Sequence, residues 1–243
     1  MKRKHNEDTF AVLDDVHLYV VADGMGGHAS GEVASQMVIE TLRDFFEATS
    51  ADPEATWPYK MDKSRGYEEN RLITAIKLAN LRIYEAAQKD ERLRGMGTTV
   101  VALLAVDDGV LVAHVGDSRV YRWRDGELEL LTEDHSLLND YIKMKKLSEE
   151  EIAAFPHKNV IVRALGMKEN VKVDILLDKP KPGDIYLLCS DGLAGPATDD
   201  EIREVMNQGQ DLKATVASLI HKANDKGGPD NITAVLAKVM GVG

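Results

Sequence analysis

Asp23, Asp117, Asp191 and Asp230 share one setting: each stands at the edge of an apolar run, beside glycine. The stretches are Val21-Ala22-Asp23-Gly24-Met25-Gly26-Gly27-His28, Val115-Gly116-Asp117-Ser118-Arg119, Ser190-Asp191-Gly192-Leu193 and Gly228-Pro229-Asp230-Asn231-Ile232-Thr233. Taken singly, each acid is more often a turn aspartate than a ligand, because aspartate readily bonds its own backbone in turns. Their repetition changes the reading. Glu7 and Asp8 join them if Thr9 to Val12 and Leu18 to Val21 form a hairpin through Asp14 and Asp15, which returns the Glu7 end to Asp23. Oxygen ligands without cysteine or histidine suit Mg²⁺ or Mn²⁺. So many acids gathered without a cation would repel one another. The chemistry implied is a multi-metal carboxylate site.

Helices and strands must hold these acids in place. Val33, Met37, Val38, Thr41, Leu42, Phe45 and Phe46 recur at helical spacing between Ser30 and Ala48. A second helix is expected from about Glu68 to Lys89, on the same side of a sheet as the first. Thr49 to Asn70 reads as a long loop with Trp57 and Tyr59 as anchors. Val100 to Val106, Val110 to Val115, Val120 to Trp123 and Leu128 to Leu131 read as an antiparallel meander turned by Asp108-Gly109 and Asp125-Gly126. Residues from about 137 to 160 leave the sheet, with a capping box at Ser148. Strand character returns at Val160 to Gly166 and Val171 to Ile175. Ile185 to Cys189 follows, then helices opened by Thr198 and near Leu212, and a closing strand from Ile232 to Val239. Runs of helix and antiparallel strand, kept apart, argue against a parallel fold and for α+β.

Composition narrows the partners. A net charge of −11 disfavours nucleic acid and anionic membrane, both of which need a cationic face. No apolar run approaches the ~20 residues of a membrane helix, so no membrane insertion is expected. A single cysteine, Cys189, excludes an internal disulfide and suits a cytoplasmic protein. Its apolar surroundings mark it as a buried strand residue, as those of His114 mark a satisfied core histidine.

In the order Arg3 with Asn6-Glu7-Asp8, the run around Asp23, Gly95-Met96-Gly97-Thr98-Thr99, the run around Asp117, Asp134-His135-Ser136, and the runs around Asp191 and Asp230, the chain resembles the PPM (PP2C) family of metal-dependent protein phosphatases, in its bacterial form. One departure is Ala194-Gly195-Pro196, where the family often has a Thr-Asp pair. The resemblance implies a four-layer αββα sandwich of two antiparallel sheets flanked by helices, spanning residues 1–243 as one catalytic domain with a flap at about 137–160. It implies two Mg²⁺ or Mn²⁺ ions, with a third in bacterial members. Asp23 resembles the bridging carboxylate and Gly24 a carbonyl ligand of the second ion. Asp191 and Asp230 match ligands of the first, Glu7 and Asp8 acids of the second, and Asp117 with Asp191 the third. Arg3 matches the phosphate-binding arginine, and His28 is a candidate proton donor beside a metal-bound water. The reaction implied is hydrolysis of phosphoserine and phosphothreonine in proteins by a metal-activated water, opposing a bacterial Ser/Thr kinase, in a monomer. The competing readings are an inactive scaffold of the same fold, which would normally have lost a metal acid, and a phosphatase for phosphotyrosine or small esters.

Overall fold

Pairing in the first hairpin brings two of the acids together before any tertiary contact is made. In the computed structural model, which describes residues 3, 5–26, 30–52, 55–145, 147–155 and 160–241, β1 (Asp8–Leu13) and β2 (Leu18–Met25) are joined by a 3-10 turn over Asp14–Val16. Their antiparallel register sets Asp8 opposite Asp23 and Phe10 opposite Val21. Directly opposed residues share a face with Cβ atoms about 4.5–5.5 Å apart. A slip of one residue would turn Asp8 to the other face.

The chain continues through α1 (Ser30–Ala51), α2 (Tyr67–Lys89), β3 (Gly97–Thr98), β4 (Val100–Val106), β5 (Gly109–Val115), β6 (Arg119–Arg124) and β7 (Glu127–Leu130). Then come α3 (Leu137–Lys145), α4 (Glu149–Ala154), β8 (Asp174–Asp178), β9 (Ile185–Cys189), α5 (Asp191–Ala194), α6 (Asp199–Met206), α7 (Leu212–Asp225) and β10 (Ala234–Lys238). One sheet runs β1-β2-β4-β5-β8 with β3 beside β2, and the other β10-β9-β6-β7. Every pairing is antiparallel.

Strand alternation divides the apolar residues among three layers. Val20, Ala22, Ala102, Leu104 and Leu111 pack under α1 and α2 with Leu42, Phe46 and Ile76. Val21, Val101, Val112, Val120, Tyr186 and Leu188 fill the space between the sheets. Leu187, Cys189 and Tyr121 meet Ile202, Leu219 and Ala223 on the far side. The αββα sandwich is thereby complete, and the Asp8 and Asp23 side chains share their face with Val21, at one end of the middle layer.

The hairpin, both long helices and the two capping boxes, at Ser148 and Thr198, agree with the sequence reading; Trp57 packs edge-on to Phe45 and near Tyr67, as an anchor should. Three expectations are corrected, and the excursion after Ser136 gains a helix. The meander is split: β4 and β5 belong to one sheet, β6 and β7 to the other, and the chain crosses between them at Gly116, where φ is +114°. Residues 137–145 form a helix, because the Ser136 hydroxyl caps it by accepting from the Asn139 N–H at 3.2 Å. Val160 to Gly166 forms no strand; its pairing is limited to isolated bridges, Ile161 with Ser136 and Leu165 with Thr98. Val33 is exposed and Ala34 and Ile39 are buried instead, since the core-facing stripe of α1 is rotated from the expected one.

Truncation of Leu42, which is fully buried between α1 and the sheet, should show where stability resides. Leu42→Ala is expected to cost about 2–5 kcal/mol in urea unfolding, while Phe10→Ala, 59% exposed, stays within about 0.5 kcal/mol.

Candidate metal centre

Five carboxyl groups converge on the end of the middle layer from three directions. Asp8 and Asp23 come from β1 and β2, Asp191 opens α5 after the Ser190 cap, Asp230 lies just ahead of β10, and Asp117 sits in the crossing between β5 and β6. Asp117, Asp191 and Asp230 line a cleft of about 430 Å³ with Arg119, Asp134 and Pro196. Close backbone approach is what lets them meet. A Cβ on Gly192 would lie 1.8 Å from the Asn231 carbonyl oxygen, and one on Gly24 2.2 Å from that of Gly31 in the first turn of α1. The glycine after Asp23 is thus required by helix approach, a reason its sequence setting does not disclose.

Each acid is held differently. One oxygen of Asp8 accepts from the Thr233 hydroxyl at 2.7 Å and the Ser190 hydroxyl at 2.9 Å. Ser190 in turn accepts from the Thr233 N–H at 3.0 Å, so residues flanking β9 and β10 of the second sheet grip an acid of the first. The Asp23 peptide is fixed by Thr99, whose hydroxyl accepts from its N–H at 3.1 Å and whose N–H donates to its carbonyl at 2.9 Å. Arg3 donates to Asp230 at 2.6 Å. Asn231 clamps the segment before β1 by accepting from the Glu7 N–H at 3.0 Å and donating to the His5 carbonyl at 3.0 Å. The Glu7 carboxylate lies over Gly31, at the start of α1.

Burial and mutual charge distort the titration of the group. Burial raises the Asp23 carboxyl well above its usual range, and the charges of Asp8, Asp191 and Asp117 raise it further. Burial raises Asp191 too, helped by the charge of Asp230. Asp8 is raised by burial although Thr233 and Ser190 oppose the rise. Asp117 is pushed up to about 7, by burial and then by the charges of Asp191 and Asp134. Among the described residues, Asp117 Oδ1 and Asp191 Oδ1 are buried with no hydrogen-bond partner. Unsatisfied buried oxygens are rare because each forfeits its hydration. A hard divalent cation would satisfy both and relieve the repulsion, so the donor set fits the metal chemistry expected from it.

Arg3, Asp8, Asp23, Asp117, Asp191 and Asp230 are therefore brought to one end of the sandwich, with Glu7 and Gly24 at the edge of α1. His28 lies outside the described residues, as does part of the expected flap. Ser190, Thr233, Thr99 and Asn231 were given no role from the sequence, although each lies inside a motif that holds an acid or its neighbour. Hydroxyl and amide residues adjoining those acids were the available signal.

His114, His135 and Asp174 form a second titratable cluster, with ligand atoms within 4.8 Å of one another. The two rings stack at 4.7 Å and 15°, so their in-plane lone pairs run nearly parallel rather than converging. Arg163 already supplies a cation there, 3.1 Å from Asp174. This cluster is a hydrogen-bonded one, and His114 is satisfied by the Glu133 carbonyl at 2.9 Å.

Fold and site together are those of an αββα sandwich with an acidic cleft at one end of its paired sheets. The family model for protein phosphatase 2C matches residues 2–238, and the chain belongs to that family. The serine/threonine phosphatase stp of Listeria monocytogenes is 37% identical over 243 residues, covering 97% of this chain and 91% of that protein. The serine/threonine phosphatase of S. agalactiae superposes with a TM-score of 0.85 at 35% identity, covering 98% of this chain and 95% of the other. The catalytic domain of the phosphatase PstP, in complex with two manganese ions, superposes with a TM-score of 0.77 at 34% identity, covering 98% and 93%. No helix among the described residues is long and apolar enough to cross a membrane.

The strain on Asp117 has a measurable sign. In chelator, Asp117→Asn should stabilise the fold, with a gain that grows with pH. Below the ordinary value of 3.8 the acid is protonated in both states; between there and about 7 only the unfolded chain ionises. The fold therefore loses about 1.4 kcal/mol per unit of separation as pH rises through that window. Urea unfolding at pH 4, 5.5 and 7.5 measures it, and a pH-independent difference would show the carboxyl to be unperturbed.

Proposed function

We propose that this chain is a metal-dependent hydrolase of phosphoserine and phosphothreonine in proteins. The observation that carries the reading is the convergence of buried carboxylates with two oxygens left unpaired, at Asp117 and Asp191. An inactive scaffold would have no reason to keep such a costly set intact. When bound, Mg²⁺ or Mn²⁺ would supply Lewis-acid charge and lower the pKa of a coordinated water toward neutrality.

The protein's own groups divide the remaining work. Asp23 would bridge two ions, with Asp191 and Asp230 holding the first and Glu7, Asp8 and the Gly24 carbonyl the second. Asp117 and Asp191 would hold a third. With one Asp8 oxygen occupied by Ser190 and Thr233, the other would be the one to take an ion. Arg3 would exchange Asp230 for the phosphoryl oxygens, presenting its planar fork to charge that builds in the transition state. His28 remains the candidate donor of a proton to the leaving hydroxyl.

Phosphate would be repelled by these acids in the absence of cations, which makes metal binding precede substrate binding. We read residues 1–243 as one catalytic domain, with the segment at about 137–160 as its flap. The reading includes a monomer in a reducing cytoplasm, where Cys189, buried in β9, stays a thiol, and a Ser/Thr kinase whose products this chain reverses.

Hydrolysis of para-nitrophenyl phosphate and of a phosphothreonine peptide should require Mn²⁺ or Mg²⁺ and stop in excess EDTA. Turnover that survives EDTA would overturn the assignment. Asp191→Ala and Asp230→Ala should abolish activity in folded protein. Arg3→Ala is expected to lower kcat/KM by roughly 10²-fold, the usual loss for one donor to a developing anion. An unchanged value would remove Arg3 from the phosphate site.

A further inference from the structure

Asp117 owes its place to the backbone that carries it, since its buried Oδ1 has no partner among the described residues. The residue before it, Gly116, is held at both polar atoms by one other residue. The Gly116 N–H donates to Nδ1 of His135 at 3.0 Å, and the backbone N–H of His135 donates to the Gly116 carbonyl at 3.0 Å. Gly116 has little freedom otherwise: its φ is +114°, and a Cβ there would lie 2.6 Å from the side chain of Thr99. The crossing between the sheets is thus pinned immediately ahead of the acid.

The ring can accept at Nδ1 only if its proton sits on Nε2. Asp174 on β8 accepts from that Nε2–H, its Oδ2 lying 3.0 Å away, while Arg163 Nη1, 2.9 Å from the same Nε2, can only donate and so directs its hydrogens to Asp174 and the Lys172 carbonyl. Arg163 and Lys172 keep the Asp174 carboxylate charged, at 3.1 and 3.3 Å. His114 stacks on the ring and closes it in. If the proton moved to Nδ1, an N–H would face the Gly116 N–H, and the peptide would be released.

We propose that Asp174 and His135 are a positioning pair that orients Asp117 for a divalent cation, Asp174 acting through the histidine tautomer and His135 through the Gly116 peptide. The inference rests on the reading of Asp117 as a cation ligand. Outer partners that orient a metal ligand commonly contribute ten- to hundredfold in affinity. The pair acts on the Asp117 site and leaves Asp23 and Asp230, which other residues hold, unaffected.

The test titrates the full chain with Mn²⁺, reading free ion by electron paramagnetic resonance, with thermal melting in EDTA as a check on folding. The ion assigned to Asp117 and Asp191 has the fewest protein ligands and is expected to be the weakest class, which Asp117→Ala should delete; if that class persists, the cation role of Asp117 fails, whatever His135 does. His135→Phe keeps the ring volume but loses both nitrogens, and Asp174→Ala frees the tautomer. Each should weaken that class ten- to hundredfold and leave the tighter classes within about twofold. His135→Asn returns an acceptor near Nδ1 and should recover most of the loss. Weak-site affinity equal to wild type in His135→Phe, or a uniform loss across all classes, would overturn the positioning role and leave the histidine a packing residue.

Discussion

Uncompensated negative charge at one end of the middle layer is the constraint on which the rest of the site depends. Carboxylates from both sheets and from the crossing between them are brought into partial burial, where each disfavours the ionisation of the next. A pKa unit of such disturbance is about 1.4 kcal/mol, a sizeable fraction of the 5–15 kcal/mol that holds a typical domain together. The three apolar layers must therefore carry stability that the site consumes. Their nearly complete exclusion of solvent from Val21, Leu42, Val112 and Leu188 shows how.

Compensation is local and incomplete. Ser190 and Thr233 donate to Asp8, and Arg3 to Asp230, yet oxygens of Asp117 and Asp191 are left without donors. Neutral hydroxyls can orient a carboxylate without cancelling its charge. That is the useful compromise for a cation site, since a full complement of ion pairs would compete with the metal. Arg3, on the exposed rim, is the exception, pairing with Asp230 where solvent reaches both.

Glycine and hydrogen bonding divide the structural work behind the acids. Gly192 and Gly24 allow backbones to approach within distances that a methyl group would forbid, so the loops of the second sheet and the first turn of α1 reach the cleft. Gly116 permits the change of sheet, and the His135 ring, held by Asp174, fixes the peptide beside Asp117. The site is thus a property of contacts between elements distant in sequence, with Asp8 and Thr233 bonded across 225 positions.

Much of this was legible in the chain itself. Residue types at strand ends beside glycine marked the acids that converge, the spacing of Asp8 and Asp23 about a short acidic turn implied their meeting, and apolar periodicity located both long helices. These are local signals, governed by backbone geometry and the alternation of side chains. The division of the meander between two sheets was not legible, because β4 and β5 are buried on both faces and β6 buries Val120 and Tyr121 on opposite ones, so these strands carry no mark of the sheet they join. Nor was the strand-like run at Val160 to Gly166 distinguishable from a true strand, since pairing depends on a free edge elsewhere. The hydroxyls behind Asp8, the glycine contacts and the His135 clasp arise only when separate elements pack. By itself the sequence determined which acids could gather and which elements would bear them; tertiary structure decided which oxygens are satisfied and which are left without a partner, because desolvation and partnership exist only after the layers close.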